Sequence, residues 1–150
     1  MLCSGVASAR PVVRLHLAGT LVRQAGGRVS EKPIDGLVLK AGDLVRYTIA
    51  ATNSGTSPAL ALVPVGQIPK ATSYVPGSAH ANGATPEFTL DGKSWSPRPL
   101  LITKTPRGTI SRPADPALYR AVRWISRHPL AANKRVVYSY DVRVNGHSSK

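Results

Sequence analysis

The sequence predicts an all-β protein built as an antiparallel β-sandwich of about seven or eight strands. Short segments alternate apolar and polar side chains, as strands with one buried face do. Thirteen glycines and thirteen prolines among 150 residues interrupt the chain too often for long helices. No segment has the apolar spacing of an amphipathic helix. An apolar share of 42% can supply the core of one domain of this length.

The first predicted strand covers residues 12–17, with Arg14 and His16 on its outer face. The side chains expected on its buried face are Val13, Leu15 and Leu17. Gly26–Gly27 breaks the apolar run, and a polar stretch leads to a second short apolar segment at residues 37–39.

The clearest strand covers residues 44–52 and follows a turn at Gly42. Its predicted buried row consists of Val45, Tyr47, Ile49 and Ala51. Asn53 and Gly55 end this strand, and the Asn53 side chain is expected to hydrogen-bond to nearby backbone and shape the turn.

The middle of the chain holds shorter elements. The apolar run at residues 59–65 predicts a strand buried on both faces. Residues 74–78 predict a short strand that stops at a Pro-Gly turn, and residues 88–90 lead into a turn at Asp91–Gly92. Five prolines in residues 97–117 predict a long irregular loop, in which one strand is expected at residues 100–103.

The last thirty residues predict a hairpin. One strand rises at residues 120–125, residues 129–134 turn, and the return strand covers residues 136–144. The predicted buried row of the return strand consists of Val136, Tyr138, Tyr140, Val142 and Val144, while Asp141 is expected to face water.

An ordered series of motifs over roughly residues 37–145 resembles the "domain of unknown function eleven" conserved repeat family. The motifs are Gly42–Ile49 ending at Asn53–Gly55, then Ile68–Pro69, Tyr74–Ser78, Leu90–Trp95, Val122–Trp124 and Val142–Val144. The resemblance implies an Ig-like β-sandwich module, of a kind that often occurs in tandem in bacterial and archaeal surface proteins. Two positions depart from the family pattern: Val65–Gln67 replaces an Asp before Pro69, and Asn133 stands where the late hairpin usually has Gly.

The predicted organisation is a single Ig-like domain at residues 10–145, with the family-like core at residues 37–145. Residues 1–9 end in the small-x-small pattern of a signal-peptidase site, so they predict either a truncated signal-peptide remnant or a flexible N-terminus. Residues 146–150 predict a flexible tail. The resemblance implies a secreted, periplasmic or cell-surface bacterial protein.

Few residues suit catalysis or metal binding, so the sequence predicts no enzyme, cofactor or metal. Cys3 is the only cysteine, which excludes an intramolecular disulfide. The seven carboxylates form no evident pair, and the four histidines share no ligand spacing. Ser78 and His80 are a weak hydrolase hypothesis on a polar loop. An isopeptide bond would need a buried lysine, whereas Lys40 lies in a predicted turn.

Charge is the outlying property of the sequence. Twenty basic and seven acidic side chains give a net charge of +13, and arginine outnumbers lysine thirteen to seven. Guanidinium groups suit phosphate, sulfate and carboxylate. The candidate polyanion contacts are the outward strand residues Arg14, Arg46, Arg123 and Arg143. Arg123 and Arg143 are expected to share one sheet face, because both lie on the predicted final hairpin.

Two functions from different classes follow. The first is a non-enzymatic structural or interaction module of an exported bacterial protein: a spacer, an adhesion unit or an assembly unit. Its partners would be anionic surface polymers or other envelope proteins, and free sheet edges would permit pairing into dimers. The alternative is a basic module that binds teichoic acid, lipopolysaccharide, acidic glycans or a nucleic-acid backbone without sequence specificity.

Overall fold

Two antiparallel sheets face each other across the core in the computed structural model, which describes residues 9–146. The predicted all-β sandwich is confirmed, with eleven strands where seven or eight were expected. In chain order the strands are β1 (Val13–Ala25), β2 (Arg28–Pro33), β3 (Leu44–Asn53), β4 (Val65–Gln67), β5 (Thr72–Tyr74), β6 (His80–Ala81), β7 (Ala84–Thr89), β8 (Leu100–Thr105), β9 (Gly108–Pro113), β10 (Ala121–Ser126) and β11 (Arg135–Val144). The predictions for residues 1–8 and 147–150 lie outside the described residues.

The first sheet has six strands in the order β2-β1-β3-β11-β5, and β6 pairs with β11 beside β5. The second sheet has three strands in the order β4-β10-β7. The hairpin β8–β9 forms a separate two-stranded sheet. Every strand pair described is antiparallel.

Aromatic side chains from both sheets form the centre of the core. Trp124 of β10 lies 5.3 Å from Tyr138 and 5.9 Å from Tyr140 between ring centroids. Tyr47 of β3 stacks on Tyr140 at 5.4 Å. The tyrosine row of β11 is therefore buried as predicted, because it faces the second sheet rather than water.

The predicted final hairpin is wrong. Strand β10 pairs with β4 and β7 in the second sheet, whereas β11 pairs with β3, β5 and β6 in the first. The turn between them therefore carries the chain from one sheet to the other. Asn133, which stands where the resembled family usually has Gly, adopts a left-handed conformation in this turn, at φ 64°.

Leu15 and Leu17 are on the predicted face of β1 but are not buried. They pair with Ala51 and Ile49, whose side chains point into the core, yet they are 56% and 60% exposed. The second sheet has only three strands, against six in the first. Its side chains cover Ile49 and leave the inner face of β1 open at these two leucines.

The strand predicted at residues 59–65 is also wrong. Only Ala59 makes an isolated bridge, to Leu130, and β4 begins at the end of the run. Leu60 is 74% exposed. Ala61 has a left-handed φ of 53°, which breaks the extended conformation that a strand requires.

Two segments predicted as irregular are strands. The polar stretch after Gly27 is β2, and residues 100–113 form the hairpin β8–β9 instead of a loop with one strand at residues 100–103. Both are exposed hairpins, so neither shows the apolar alternation that burial imposes. In contrast, the apolar residues 37–39 lie outside the strands.

Candidate functional site

The four candidate arginines do not form one cluster. Arg14, Arg46 and Arg143 lie on the outer face of the first sheet, whereas Arg123 lies on the outer face of the second. The expectation that Arg123 and Arg143 share a face is wrong, because their strands belong to different sheets.

Arg46 is held by two carboxylates. Its Nε and Nη2 donate to the two oxygens of Asp141 at 2.8 and 3.0 Å, and its Nη1 donates to Glu31 at 2.9 Å. The hydrogen bonds that Arg46 donates to Asp141 raise the pKa of Arg46 above its ordinary value. Asp141 was expected to face water but is 8% exposed, since the guanidinium lies beside it. Arg46 therefore links strands of the first sheet. Its positive charge is already balanced by carboxylates, so it is a poor contact for an anionic ligand.

Arg123 is likewise paired within the chain. Its Nε and Nη2 donate to Glu87 at 2.9 and 2.7 Å, and its guanidinium carbon lies 4.7 Å from the centre of the Trp95 ring. Arg143 is exposed and donates to the backbone oxygen of Gly42 at 2.9 Å. Of the four, Arg14 and Arg143 are the ones whose charge is not balanced by a carboxylate among residues 9–146.

Strand register brings a second arginine beside Arg14. Thr52 of β3 pairs with Arg14 on one side and with Arg135 of β11 on the other. Directly paired residues point to the same face of an antiparallel sheet, so both guanidinium groups stand on the outer face. One strand separates them, which places their Cα atoms about 10 Å apart.

These residues line an open concavity of about 650 Å³ on the outer face of the first sheet. Its lining, which we call the arginine dish, consists of Arg14, His16, Ala50, Thr52, Ser54 and Arg135. The lining contains two guanidinium groups, an imidazole and two hydroxyls, and it contains no carboxylate. Three hydrogen-bonded strands carry all of these residues except Ser54, so their backbone positions are fixed relative to one another.

Sequence reasoning found Arg14 but not the partners that complete the dish. Arg135 precedes the return strand by one position in the predicted boundaries, and His16 was placed outward without a role. The alternation of side chains along the two strands places both residues on the correct face of the sheet. Only the pairing of β3 with both β1 and β11 shows that they meet.

A second concavity, of about 610 Å³, lies at the end of the sandwich where β10 begins. Lys70, Trp95, Arg120 and Asp91 are among its lining residues. The Asp91 carboxylate accepts from the backbone N–H of Ser94 and Lys93, and these hydrogen bonds lower the pKa of Asp91. This end therefore presents charges of both signs, unlike the arginine dish.

The geometry of the described residues supports neither the hydrolase hypothesis nor a metal site. The Ser78 hydroxyl donates to the backbone oxygen of Val75 at 2.6 Å and accepts from the backbone N–H of Asp141, so backbone groups occupy it. His80 is exposed on β6. Within residues 9–146 there is no group of three histidine, cysteine, aspartate or glutamate side chains placed to hold a metal ion. No helix among those residues is long and apolar enough to cross a membrane.

No family model matches the sequence, and no curated protein or solved structure matches it. The resemblance to the repeat family and the Ig-like classification therefore stay predictions that rest on the ordered motifs alone.

Proposed function

We propose that this chain is a non-enzymatic interaction module that binds anionic polymers through the arginine dish. The observation that carries the proposal is the meeting of Arg14 and Arg135 on one rigid face whose lining has no carboxylate. Guanidinium forks bind phosphate, sulfate and carboxylate groups in two-point contacts.

The surrounding electrostatics favour the same ligand class. The carboxylates of Asp141 and Glu31 lie on the same face, but both pair with Arg46, six positions along β3 from Thr52, and neither lines the dish. A net charge of +13 attracts polyanions over long range and raises their local concentration. The aromatic residues of the core are unavailable as stacking platforms, since Trp124, Tyr138 and Tyr140 are almost fully buried. This favours recognition of charge over recognition of bases.

The resemblance to modules of surface proteins implies which anionic polymers the protein would meet. In an exported or cell-surface bacterial protein the ligands at hand would be teichoic acid, lipopolysaccharide and acidic glycans. Cell fractionation tests this placement directly, because a wholly cytosolic protein would contradict it.

Heparin serves as the probe for the arginine dish. The wild type should bind heparin with an affinity that falls steeply with salt concentration, since each neutralised anion releases a counterion. The double variant Arg14→Gln/Arg135→Gln should bind at least about tenfold more weakly, and its slope of log affinity against log salt should shrink by about 2.

The matched control removes the same charge from another place. Arg23→Gln/Arg28→Gln lies on the exposed hairpin β1–β2 and should reduce heparin affinity far less than the dish variant. Equal losses in the two variants would show that only net charge matters, and this result would refute the site.

A spacer is the second candidate function, and the direction of the strands favours it. β1 enters the first sheet where Val13 pairs with Asn53, and β11 leaves it where Arg143 pairs with Leu44. Tension along the chain would therefore pull these strands in opposite directions along their length, which loads many ladder hydrogen bonds at once.

A further inference from the structure

The concavity at the end of the sandwich has the size of a small-molecule site. Its volume of about 610 Å³ falls within the range of about 300–1,000 Å³ that such sites occupy. It shares no lining residue with the arginine dish, so a function for it does not rest on the proposed heparin site. We call it the end cleft; its lining includes Gln67, Lys70, Asp91, Trp95, Arg120 and Ala121.

Three segments distant in sequence form the end cleft, and backbone hydrogen bonds connect them. The N–H of Ile68 donates to the oxygen of Arg120 at 3.0 Å, and the N–H of Arg120 donates to the oxygen of Thr89 at 2.8 Å. Ala121 pairs with Gln67 on one side and with Thr89 on the other, so these side chains point to the same face of the second sheet. The row is low at its centre, because alanine has a single methyl group there.

Trp95 gives the end cleft an apolar wall. The Arg123 guanidinium lies 4.7 Å from the centre of the Trp95 ring, and Glu87 holds that guanidinium through hydrogen bonds of 2.9 and 2.7 Å. The ring is therefore held in place, while it stays only half-buried and lines the cleft. An indole is a large apolar surface, and such a surface packs against the C–H face of a sugar ring.

The polar groups of the end cleft carry both signs of charge. Oδ1 of Asp91 accepts three hydrogen bonds from its own turn, whereas Oδ2 receives none of them. Lys70 and Arg120 are exposed, and neither is in an ion pair among residues 9–146. Within the described residues, the cleft therefore offers an acceptor oxygen and two cationic donors that no ion pair occupies.

We propose that the end cleft binds a neutral saccharide, as a monosaccharide or disaccharide unit. Sugar hydroxyls both donate and accept hydrogen bonds. They would donate to Asp91 and accept from Lys70 and Arg120, while the C–H face of the ring packs on Trp95. A few placed polar groups beside an apolar wall are the usual composition of a small-molecule site.

Charged ligands fit this lining less well. The Asp91 carboxylate opposes a polyanion, and the cations of Lys70 and Arg120 oppose a positively charged ligand. A zwitterion such as an amino acid would satisfy both signs, but exposed ion pairs contribute little free energy. A neutral saccharide uses both kinds of group and has no charge to desolvate.

Trp95 also reports binding by its fluorescence. Trp124 is fully buried, so a change in tryptophan emission on addition of a ligand would come from Trp95. The probes are the neutral disaccharides cellobiose, maltose and N,N′-diacetylchitobiose, added at millimolar concentrations. At least one of them should change the emission saturably. Its affinity should not depend on salt concentration, because a neutral ligand releases no counterions.

Two variants remove the polar contacts and keep the tryptophan. In Asp91→Ser the hydroxyl still accepts from the turn, but the second oxygen is gone, and the disaccharide should bind at least about tenfold more weakly. Lys70→Ala/Arg120→Ala removes both cationic donors from exposed positions and should cause a loss of about the same size.

The matched controls make the same changes outside the end cleft. Asp35→Ser and Lys104→Ala/Arg112→Ala change exposed residues that do not line it, and both should bind the disaccharide as the wild type does. Arg14→Gln/Arg135→Gln should lose heparin but keep the disaccharide. Failure of the arginine dish and failure of the end cleft are therefore distinguishable.

The proposal is overturned if none of the three disaccharides changes the emission of the wild type. It is also overturned if Asp91→Ser and Lys70→Ala/Arg120→Ala bind as tightly as the wild type, because the sugar would then lie elsewhere. Saturable binding of the free amino acids glycine or alanine, in place of the disaccharides, would identify a zwitterion as the ligand instead.

Discussion

At the scale of single residues, Asn53 connects three parts of the chain. Its side-chain amide donates to the backbone oxygens of Ser57 at 2.9 Å and Leu130 at 3.0 Å. Its side-chain oxygen accepts from the N–H of Val12 at 3.1 Å and of Gly55 at 3.0 Å. Two donors and two acceptor positions are all that an asparagine has, so this fully buried side chain is saturated.

Replacing Asn53 should therefore be costly. Asn53→Ala removes four hydrogen bonds to backbone groups of three segments, and we expect a loss of at least about 3 kcal/mol in the free energy of unfolding. Asn53→Asp should also destabilise, because a carboxylate donates to neither carbonyl. Urea denaturation measures both. The exposed Asn82→Ala is the control and should change stability by less than about 0.5 kcal/mol. A change below about 1 kcal/mol in Asn53→Ala would contradict this role.

Tyr140 makes the stability of the fold sensitive to alkaline pH. Burial raises the pKa of its hydroxyl, which donates to the backbone oxygen of Gln67 at 2.6 Å. The folded-state pKa lies above the unfolded value of about 10, so the stabilisation is complete below that pH. As pH rises above it, only the unfolded state releases the proton, and stability falls.

We expect the free energy of unfolding of the wild type to decline steeply above pH of about 10. Tyr140→Phe has no such proton to lose, so its decline should be shallower. At neutral pH it should be less stable by about 1 kcal/mol, because the Gln67 oxygen loses its donor. Denaturant titrations at a series of alkaline pH values compare the two slopes. Parallel slopes would show that Tyr140 does not drive the alkaline loss.

At the scale of secondary-structure elements, β4 illustrates how closely the two sheets approach. A Cβ on Gly66 would overlap the ring of Tyr140. That ring is 1% exposed and is fixed by its hydrogen bond to Gln67, so it has no room to move. Glycine is therefore required at this position by contact with the opposite sheet and not by a left-handed backbone.

Gly66→Ala should lower the free energy of unfolding by about 2 kcal/mol or more, since overpacking a core forces shifts in its neighbours. Gly19→Ala on β1 is the matched control. Its added methyl group would lie 2.7 Å from Cδ1 of Ile34, which can turn away, and 3.0 Å from Cε1 of Tyr47, so the loss should be smaller than at Gly66, where the added methyl would overlap the Tyr140 ring itself. Thermal unfolding ranks the two variants, and an equal loss in both would argue against the close approach at Tyr140.

The elements that the sequence predicts well are those with one face against the core. β3 and β11 alternate apolar and polar side chains over most of their length, because the second sheet covers their inner rows. The hairpin β8–β9 and strand β2 lack that pattern because they bury almost nothing. The pairing of β10 could not be predicted either, since a turn within one sheet and a crossing between sheets use the same turn residues.

At the scale of the whole molecule, the spacer hypothesis predicts mechanical resistance. Pulling the chain at Arg10 and Asn145 loads β1, β3 and β11 in shear, because the chain enters and leaves the first sheet at opposite ends. Pulling at Ser54 and Lys134 opens the β3–β11 ladder one hydrogen bond at a time. Single-molecule force measurements should give a higher unfolding force for the first geometry, and equal forces would count against a load-bearing role.

The candidate site, like the mechanical resistance, depends on the arrangement of the whole molecule. The sequence indicates a basic surface and points to Arg14, but the arginine dish exists because β3 lies between two strands distant in sequence. The alternation of side chains along their strands places Arg46 and Arg123 on an outer face, as it does Arg14. Their carboxylate partners come from other strands, so local sequence could not show that they are neutralised.

The central place of β11 sets a condition on how the protein is made. This strand lies between β3 and the β5–β6 edge, and it supplies Tyr138 and Tyr140 to the core. During translation β3 therefore waits for a neighbour that leaves the ribosome about ninety residues later, as the separation of 95 positions between Arg46 and Asp141 shows. Nascent chains that stop before Arg135 would lack Tyr138 and Tyr140 and would leave Trp124 and Tyr47, which contact these rings, uncovered. Such chains would be targets for chaperones and proteases.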